Sequence, residues 1–330
     1  MTRIEPISLL TDPPTAPVVS GRLARWWLAA RPKTLPAAAT PVLVGSACAG
    51  AARGFALGPA LATLVGALLL QIAANFANDV FDFEKGADTA ARLGPVRAVQ
   101  AGWISARAMR QALVLVLVLA LAVGAYLVSV AGPLLIVIGL ASIAGAVAYT
   151  AGPYPLGYHG LGDVAVFAFF GIVAVTGTTF VQLGQVTALA WASAVAVGSL
   201  ATAILVVNNV RDAATDALAR KRTLAVRFGV GFGIAEYQLL LGLAYALPLW
   251  LLLRGQLTLW ALLPWLSLPL ALDLSRRIRR ETGAALNGVL AHTARLLLCF
   301  GVLLSVSLVL GAPAPAAGAV PAPHGSLGRG

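Results

Sequence analysis

The chain sets apolar runs of near-membrane length one after another and confines almost all of its charge to the short stretches between them. A helix needs about 20 apolar residues to cross a bilayer, so the repetition of such runs limits the possible folds severely. Nine runs can be marked out, at approximately 35–52, 57–77, 111–129, 132–149, 163–182, 187–207, 231–253, 257–274 and 287–311. Charged residues make up only 11% of the chain, whereas soluble domains carry about a quarter. The expected class is therefore all-α, a polytopic membrane protein with nine transmembrane helices.

Of the 23 Lys and Arg residues, all but Arg53, Arg254, Arg295 and Arg329 fall in the leader or in the loops after the second, sixth and eighth runs. Nine crossings put these four regions on one side. The positive-inside bias then places the N-terminus in the cytoplasm and the C-terminus outside. The formal net charge of +11 thus reflects topology, and the partner it implies is the lipid bilayer, with no nucleic acid. Residues 1–30 read as a cytoplasmic leader without the apolar core of a signal peptide, 31–311 as the membrane domain, and 312–330, rich in Pro, Ala and Gly, as a disordered tail. Cys48 and Cys299 lie in apolar runs with no metal-site spacing and are expected to be small buried hydrophobes.

Two stretches break the pattern. "NFANDVFDFEKGAD", Asn75 to Asp88, follows the second run, and "NNVRDAATDALARKR", from Asn208, closes the sixth. If both helices run on past the apolar region, Asn78 and Asp82 share a stripe, as do Asn75, Asp79 and Asp82, and likewise Asn208, Asp212 and Asp216. Carboxylates one turn apart repel unless a cation sits between them. Hard oxygen ligands suit Mg²⁺, which takes one or two carboxylates and fills its other positions with water and phosphate oxygens. A single stretch would be read most simply as solvated acids balanced by nearby bases. Two Asn-headed copies on the same membrane face point instead to paired rims that grip a diphosphate through Mg²⁺.

The segments "NDVFDFEKGADTAARLGPVRAVQAG" and "NNVRDAATDALARKRTLAVRFG" resemble the two aspartate-rich motifs of the UbiA superfamily of intramembrane prenyltransferases, most closely its dihydroxynaphthoate-prenylating branch. "RPKTLPAAATPVLVGSA", "YTAGPYPLGYHGLGDVAVFAFFG" and "LNGVLAHTARLLLCFGVLLSVSL" extend the resemblance from about Arg31 to Leu310. It implies a bundle of nine helices around a central cavity, Mg²⁺ as cofactor, and a polyprenyl diphosphate and 1,4-dihydroxy-2-naphthoate as substrates, in a bacterial cell membrane. Prenylation would release the acceptor carboxylate and give a demethylmenaquinone-type product. Carried over by motif, the metal ligands are Asn78, Asp82, Asn208, Asp212 and Asp216, with Asp88 added because Gly86 stands where a third acid of the first motif would be. Asn208 replaces a common Asp, and Tyr154 occupies a place where relatives often have Lys.

The expected catalytic acids are then Asp79, Asp82, Asp212 and Asp216. Substrate contacts are expected from Asn75, Arg31, Lys33, Arg211, Lys221, Asp163, Tyr149 and Arg295, the last because it lies about eight residues into an apolar run. For the basic residues, fixing topology is an equally good reading, and for Arg295 so is snorkelling to the surface. His292 is expected to be a buried, hydrogen-bonded side chain. The glycines of "FGVGFGIAE" open an apolar helix with no strand before them and carry no dinucleotide site. Other aromatic acceptors, 4-hydroxybenzoate or homogentisate, and a cation-coupled transporter remain as alternatives. A transporter would place its acids near the bilayer midplane.

Overall fold

The computed structural model describes residues 21–86 and 93–313. Its helices are α1 (Arg22–Ala30), α2 (Leu35–Ala51), α3 (Leu57–Glu84), α4 (Ala106–Ala131), α5 (Leu134–Ala148), α6 (Gly162–Val166), α7 (Ala174–Leu183), α8 (Ala188–Leu218), α9 (Leu224–Phe228), α10 (Val230–Leu253), α11 (Leu268–Arg280) and α12 (Leu286–Gly311). A π-helical stretch, Phe167–Val173, fuses α6 and α7 into one rod, and a 3-10 stretch, Leu259–Ser267, leads into α11. No strand occurs among the described residues. Each of the nine apolar runs is helical.

By length and hydropathy, seven helical segments are sufficient to cross a membrane. The fourth run falls short: α5 has 15 residues, about 22 Å at 1.5 Å per residue, against a hydrocarbon core of about 30 Å. The eighth is split between 3-10 and α geometry and ends in Arg276, Arg277, Arg279 and Arg280.

Two helices are the longest in the bundle and exceed what a crossing requires. α3 has 28 residues and α8 has 31, roughly 42 and 46 Å, so their final turns project beyond an apolar slab of about 30 Å. Those final turns are the two Asn/Asp stretches. Length alone therefore lifts both sets of acids out of the hydrocarbon and onto one end of the bundle.

α8 is the central pillar. In its apolar window 78% of residues are buried, against 11% for α3 and for α4. It packs with α2, α7, α10 and α12 in one core that includes Val197, Leu200, Val207, Tyr237, Leu297 and Phe300. A second core gathers α1, α3, α4 and the loop between them through Ala29, Phe76, Ala98, Ile104 and Met109. The outer faces of α4 and α5 carry Val114, Leu115, Val118, Val137 and Leu140 in the open, as a surface solvated by lipid tails would.

Lipid tails are as apolar as leucine, so helices in a bilayer gain little from hiding leucines and associate through close backbone contact. Gly171 in the π-helical stretch meets Gly198 of α8 in this way. A Cβ at Gly171 would lie 2.6 Å from Gly198 Cα and 2.7 Å from the Ala194 carbonyl oxygen. Gly171→Leu should therefore lower the stability of the purified protein by about 1–3 kcal/mol or more, read as a drop in thermal unfolding temperature in detergent. Gly177→Ala, where a Cβ meets nothing within 4 Å, should unfold no earlier than the parent chain.

Candidate functional site

The charged ends of α3 and α8 meet the loop that joins α5 to α6. Asp82, 6% exposed, accepts a hydrogen bond from Tyr158 Oη at 2.8 Å and pairs with Arg97 at 3.1 Å. The Tyr158 ring lies between two ammonium groups, Lys85 Nζ at 4.8 Å and Lys221 Nζ at 5.8 Å from its centroid. Lys221 in turn pairs with Asp216 at 3.5 Å, and the Arg222 amide donates to the Tyr158 carbonyl at 2.9 Å. Tyr158 thus ties the first acidic stretch to the second.

The return of the chain after α8 makes this possible. Arg220 adopts a left-handed conformation, φ 57°, and the Lys221 amide bonds back to the Asp216 carbonyl at 2.8 Å. The tight turn folds Lys221 over Asp216.

A second link runs through Arg211. Its guanidinium grips Asp212 in a fork, Nε to Oδ1 at 2.8 Å and Nη2 to Oδ2 at 2.6 Å. The same group donates to Asn208 Oδ1 and Asn287 Oδ1, each at 2.7 Å. Asn287, at the start of α12, donates to the Leu93 carbonyl at 2.9 Å. The loop after α3, the end of α8 and the start of α12 are thereby joined. Arg211 is 3% exposed and Asp212 6%, and buried charges of this kind persist only when paired and hydrogen-bonded.

The remaining expected residues divide. Asn78 Oδ1 accepts from Thr150 Oγ1 at 2.9 Å, and Lys85 donates to the Thr150 carbonyl. Asp163 is buried at the start of α6, where Asn209 Nδ2 donates to both of its oxygens at 3.2 and 3.4 Å. Tyr149 lies beside it, its Oη 3.0 Å from where a Cβ on Gly162 would stand. These residues belong with the cluster.

Asp79 and Asn75 turn elsewhere. Asp79, 1% exposed, spends both oxygens on the amides of Ala98 and Val99, each at 3.0 Å. Asn75 donates to the Ala30 carbonyl and to Thr34 Oγ1, each at 3.0 Å. The expected single stripe of Asn75, Asp79 and Asp82 is therefore two. At 100° per residue, positions three apart diverge by about 60°, enough for Asn75 and Asp79 to face α1 and the following loop while Asn78 and Asp82 face Tyr158.

Arg31 holds a left-handed conformation, φ 51°, in the turn between α1 and α2, and Lys33 is exposed on that turn. Arg295 differs from its expected place. It lies on the exposed stripe Ala291, Arg295, Leu298, Val302 of α12 and makes no hydrogen bond or ion pair among the described residues. α2 and α12 run in the same direction, Gly301 meeting Thr40 and Gly50 meeting Val309. That register carries Arg295 back to the level of Thr34. α12 starts higher than α2, so the residue sits at the charged end and not deep in the slab. Asp88 lies outside the described residues.

Tyr154, in the place where a lysine was expected of relatives, is exposed and stacks on His159 at 3.7 Å. The bases near the acids are instead Lys85, Arg97, Arg211 and Lys221. Sequence reasoning passed over Arg97, Thr150, Tyr158, Asn209 and Asn287. Arg97 and Tyr158 both fall within the quoted motif segments, but their roles depend on loops whose course the periodicity does not reveal.

Among the described residues no three His, Cys, Asp or Glu side chains gather into a ready metal cage. The donors are split between two helix ends: Asp82 with Asn78 on α3, and Asp212, Asp216 and Asn208 on α8. Such a hard, incomplete oxygen set fits Mg²⁺, whose remaining positions are filled by water and phosphate.

A bundle of apolar helices that crowds buried acids and bases at one end is a membrane protein suited to hold a strongly charged head group beside lipid. Residues 38–292 match the UbiA prenyltransferase family. A 1,4-dihydroxy-2-naphthoate octaprenyltransferase of Mycobacterium tuberculosis is 39% identical over 289 residues, covering 87% of this chain and 98% of that relative. The Escherichia coli protein of the same name is 38% identical over 298 residues, covering 86% and 96%. A UbiA homolog from Archaeoglobus fulgidus bound to DMAPP and Mg²⁺ superposes with a TM-score of 0.62 at 15% identity, over 86% of this chain and 99% of that one. The chain belongs to the UbiA prenyltransferase family.

Removing the Asp79 carboxylate tests its assignment to the loop. Asp79→Ala leaves two buried amides without acceptors, a cost of about 1–3 kcal/mol each, and should lower the unfolding temperature. Asp79→Asn, which keeps one acceptor, should fall between the variant and the parent.

Proposed function

We propose that the chain transfers a polyprenyl group from polyprenyl diphosphate to 1,4-dihydroxy-2-naphthoate, giving a demethylmenaquinone-type product for menaquinone biosynthesis. The reaction would take place at the charged end of the bundle, on the cytoplasmic side of a bacterial cell membrane. The observation that carries this reading is the Tyr158 junction, which makes the two Asn-headed acidic stretches face one another across a group of bases. The relatives, dihydroxynaphthoate octaprenyltransferases by name, suggest the acceptor, and the positive-inside bias suggests the side.

In this reading Asp82 and Asn78 hold one edge of the diphosphate site, and Asp212, Asp216 and Asn208 the other. Mg²⁺ bound between them supplies charge neutralisation for the departing diphosphate. Lys85 and Lys221, poised over Tyr158, exchange their present contacts for diphosphate oxygens when the donor binds, so that both are in place before the allylic C–O bond breaks. A fixed cation costs no reorganisation when charge develops on the leaving group. Arg211 keeps Asp212 in a single orientation through its fork and so acts as a positioning residue. Arg97 and Tyr158 do the same for Asp82. The acceptor's ring carbon then forms the new C–C bond and loses its carboxylate as CO₂, which leaves the prenylated ring as the quinol; Asp163, held by Asn209, and Tyr149 would receive the acceptor's polar groups.

A transporter would keep such acids near mid-membrane. Here the first stretch ends α3 and the second ends α8, which favours chemistry on a head group at the surface.

Purified protein supplied with polyprenyl diphosphate should prenylate 1,4-dihydroxy-2-naphthoate, and not 4-hydroxybenzoate or homogentisate, and only when Mg²⁺ is present. Product formed in EDTA would remove the metal from the proposal. Asp82→Asn and Asp212→Asn should each abolish turnover while the protein still inserts and purifies normally, and full activity in either would overturn the roles given to them. Arg211→Lys keeps the charge but loses the fork and the bonds to Asn208 and Asn287; kcat should fall at least tenfold, and the unfolding temperature should drop as well.

A further inference from the structure

A cleft of about 420 Å³ lies between α1 and the start of α4, apart from the acidic stretches. Its lining includes Arg22, Arg25, Trp26, Trp103 and Ser105. Arg25 reaches across it to the Trp103 carbonyl at 3.5 Å. The floor is apolar and fixed: Trp26 meets Phe76 edge-on at 5.8 Å, and Ala29 is buried in the core shared by α3 and α4. The opposite face of α1 is open and greasy, with Leu23 87%, Trp27 63% and Leu28 47% exposed.

A short helix with arginines toward one side and Leu and Trp on the other lies in the plane of a membrane surface. Basic residues at that level attract anionic lipids, and tryptophan favours the boundary between head groups and tails. The first turns of α1 and α4 contain no acid, and Arg107 stands exposed on the first turn of α4, whose N-terminus adds a partial positive charge. We propose that the cleft seats the phosphate head group of an anionic phospholipid, with Leu23, Trp27 and Leu28 sunk among the acyl chains around it.

The placement ties lipid to the site. The last carbonyl of α1, on Ala30, is held by Asn75 of α3, and the next residue is Arg31. Lipid bound against α1 would steady the turn that carries Arg31 and Lys33. The inference goes beyond the proposed reaction and does not need it, because its readout is lipid binding.

The test titrates the full-length protein in detergent with short-chain phosphatidylglycerol, following the thermal unfolding temperature. Short-chain phosphatidylcholine and inorganic phosphate serve as separate arms. Phosphatidylglycerol should stabilise the protein saturably, with little effect from the other two. Arg22→Gln, at an exposed position, should unfold normally without lipid and bind phosphatidylglycerol roughly fivefold more weakly, and Arg22→Gln/Arg25→Gln roughly 25-fold. Equal stabilisation by phosphatidylcholine, an unchanged affinity in Arg22→Gln, or saturation by inorganic phosphate alone would each overturn the proposal. If the double variant fails to fold, the single variant decides.

Discussion

The direct link between the two acidic stretches at the charged end depends on one aromatic side chain held between opposite charges. Tyr158 gives its hydroxyl proton to Asp82 and its ring face to Lys85 and Lys221, and Lys221 reaches Asp216. Without that junction, α3 and α8 would end in two separate acidic tips, each repelling its own carboxylates. With it, the acids are neutralised in place and the two tips face each other. The arrangement is stable because each buried charge has a partner, and it can be reopened because the lysines make contacts that phosphate oxygens can replace.

The bundle below serves that end. Central α8 is packed on nearly every side, and its length carries Asn208, Asp212 and Asp216 past the apolar slab. Close glycine contacts between the π-helical stretch and α8 bring α6 near enough for Asn209 to reach Asp163. On the other flank, Asp79 uses its carboxylate to fasten the 97–104 loop, which in turn delivers Arg97 to Asp82. A residue expected to do chemistry thus works as a fastener one layer out, and Asn75 does the same for the turn that carries Arg31 and Lys33.

Much of this was legible in the sequence. Apolar runs of membrane length fixed the helices, because a bilayer admits little else, and the clustering of bases marked one end as different. The Asn/Asp spacing singled out Asp82, Asp212 and Asp216, which the structure brings to one end of the bundle. Of the two readings of Arg295, its exposed position near the level of Thr34 favours the one at the surface, since counting residues into a run assumes that neighbouring helices start at the same height. α2 and α12 do not. Asp79 was expected to share a stripe with Asp82, but positions three apart diverge by about 60°, and its carboxylate goes to the Ala98 and Val99 amides while Asp82 meets Arg97 and Tyr158.

What the sequence determined by itself is what local period and the solvent govern: which segments are helical and at which end the charge collects. These follow from side-chain polarity and a repeat of 3.6 residues, and both can be read along a line. Only the tertiary structure decided which acid meets which base. The partners of Asp82 are Arg97, 15 residues on, and Tyr158, 76 residues on, and those of Arg211 include Asn287, 76 residues on. Such pairings depend on helix register and on irregular loops, where no periodicity constrains the path.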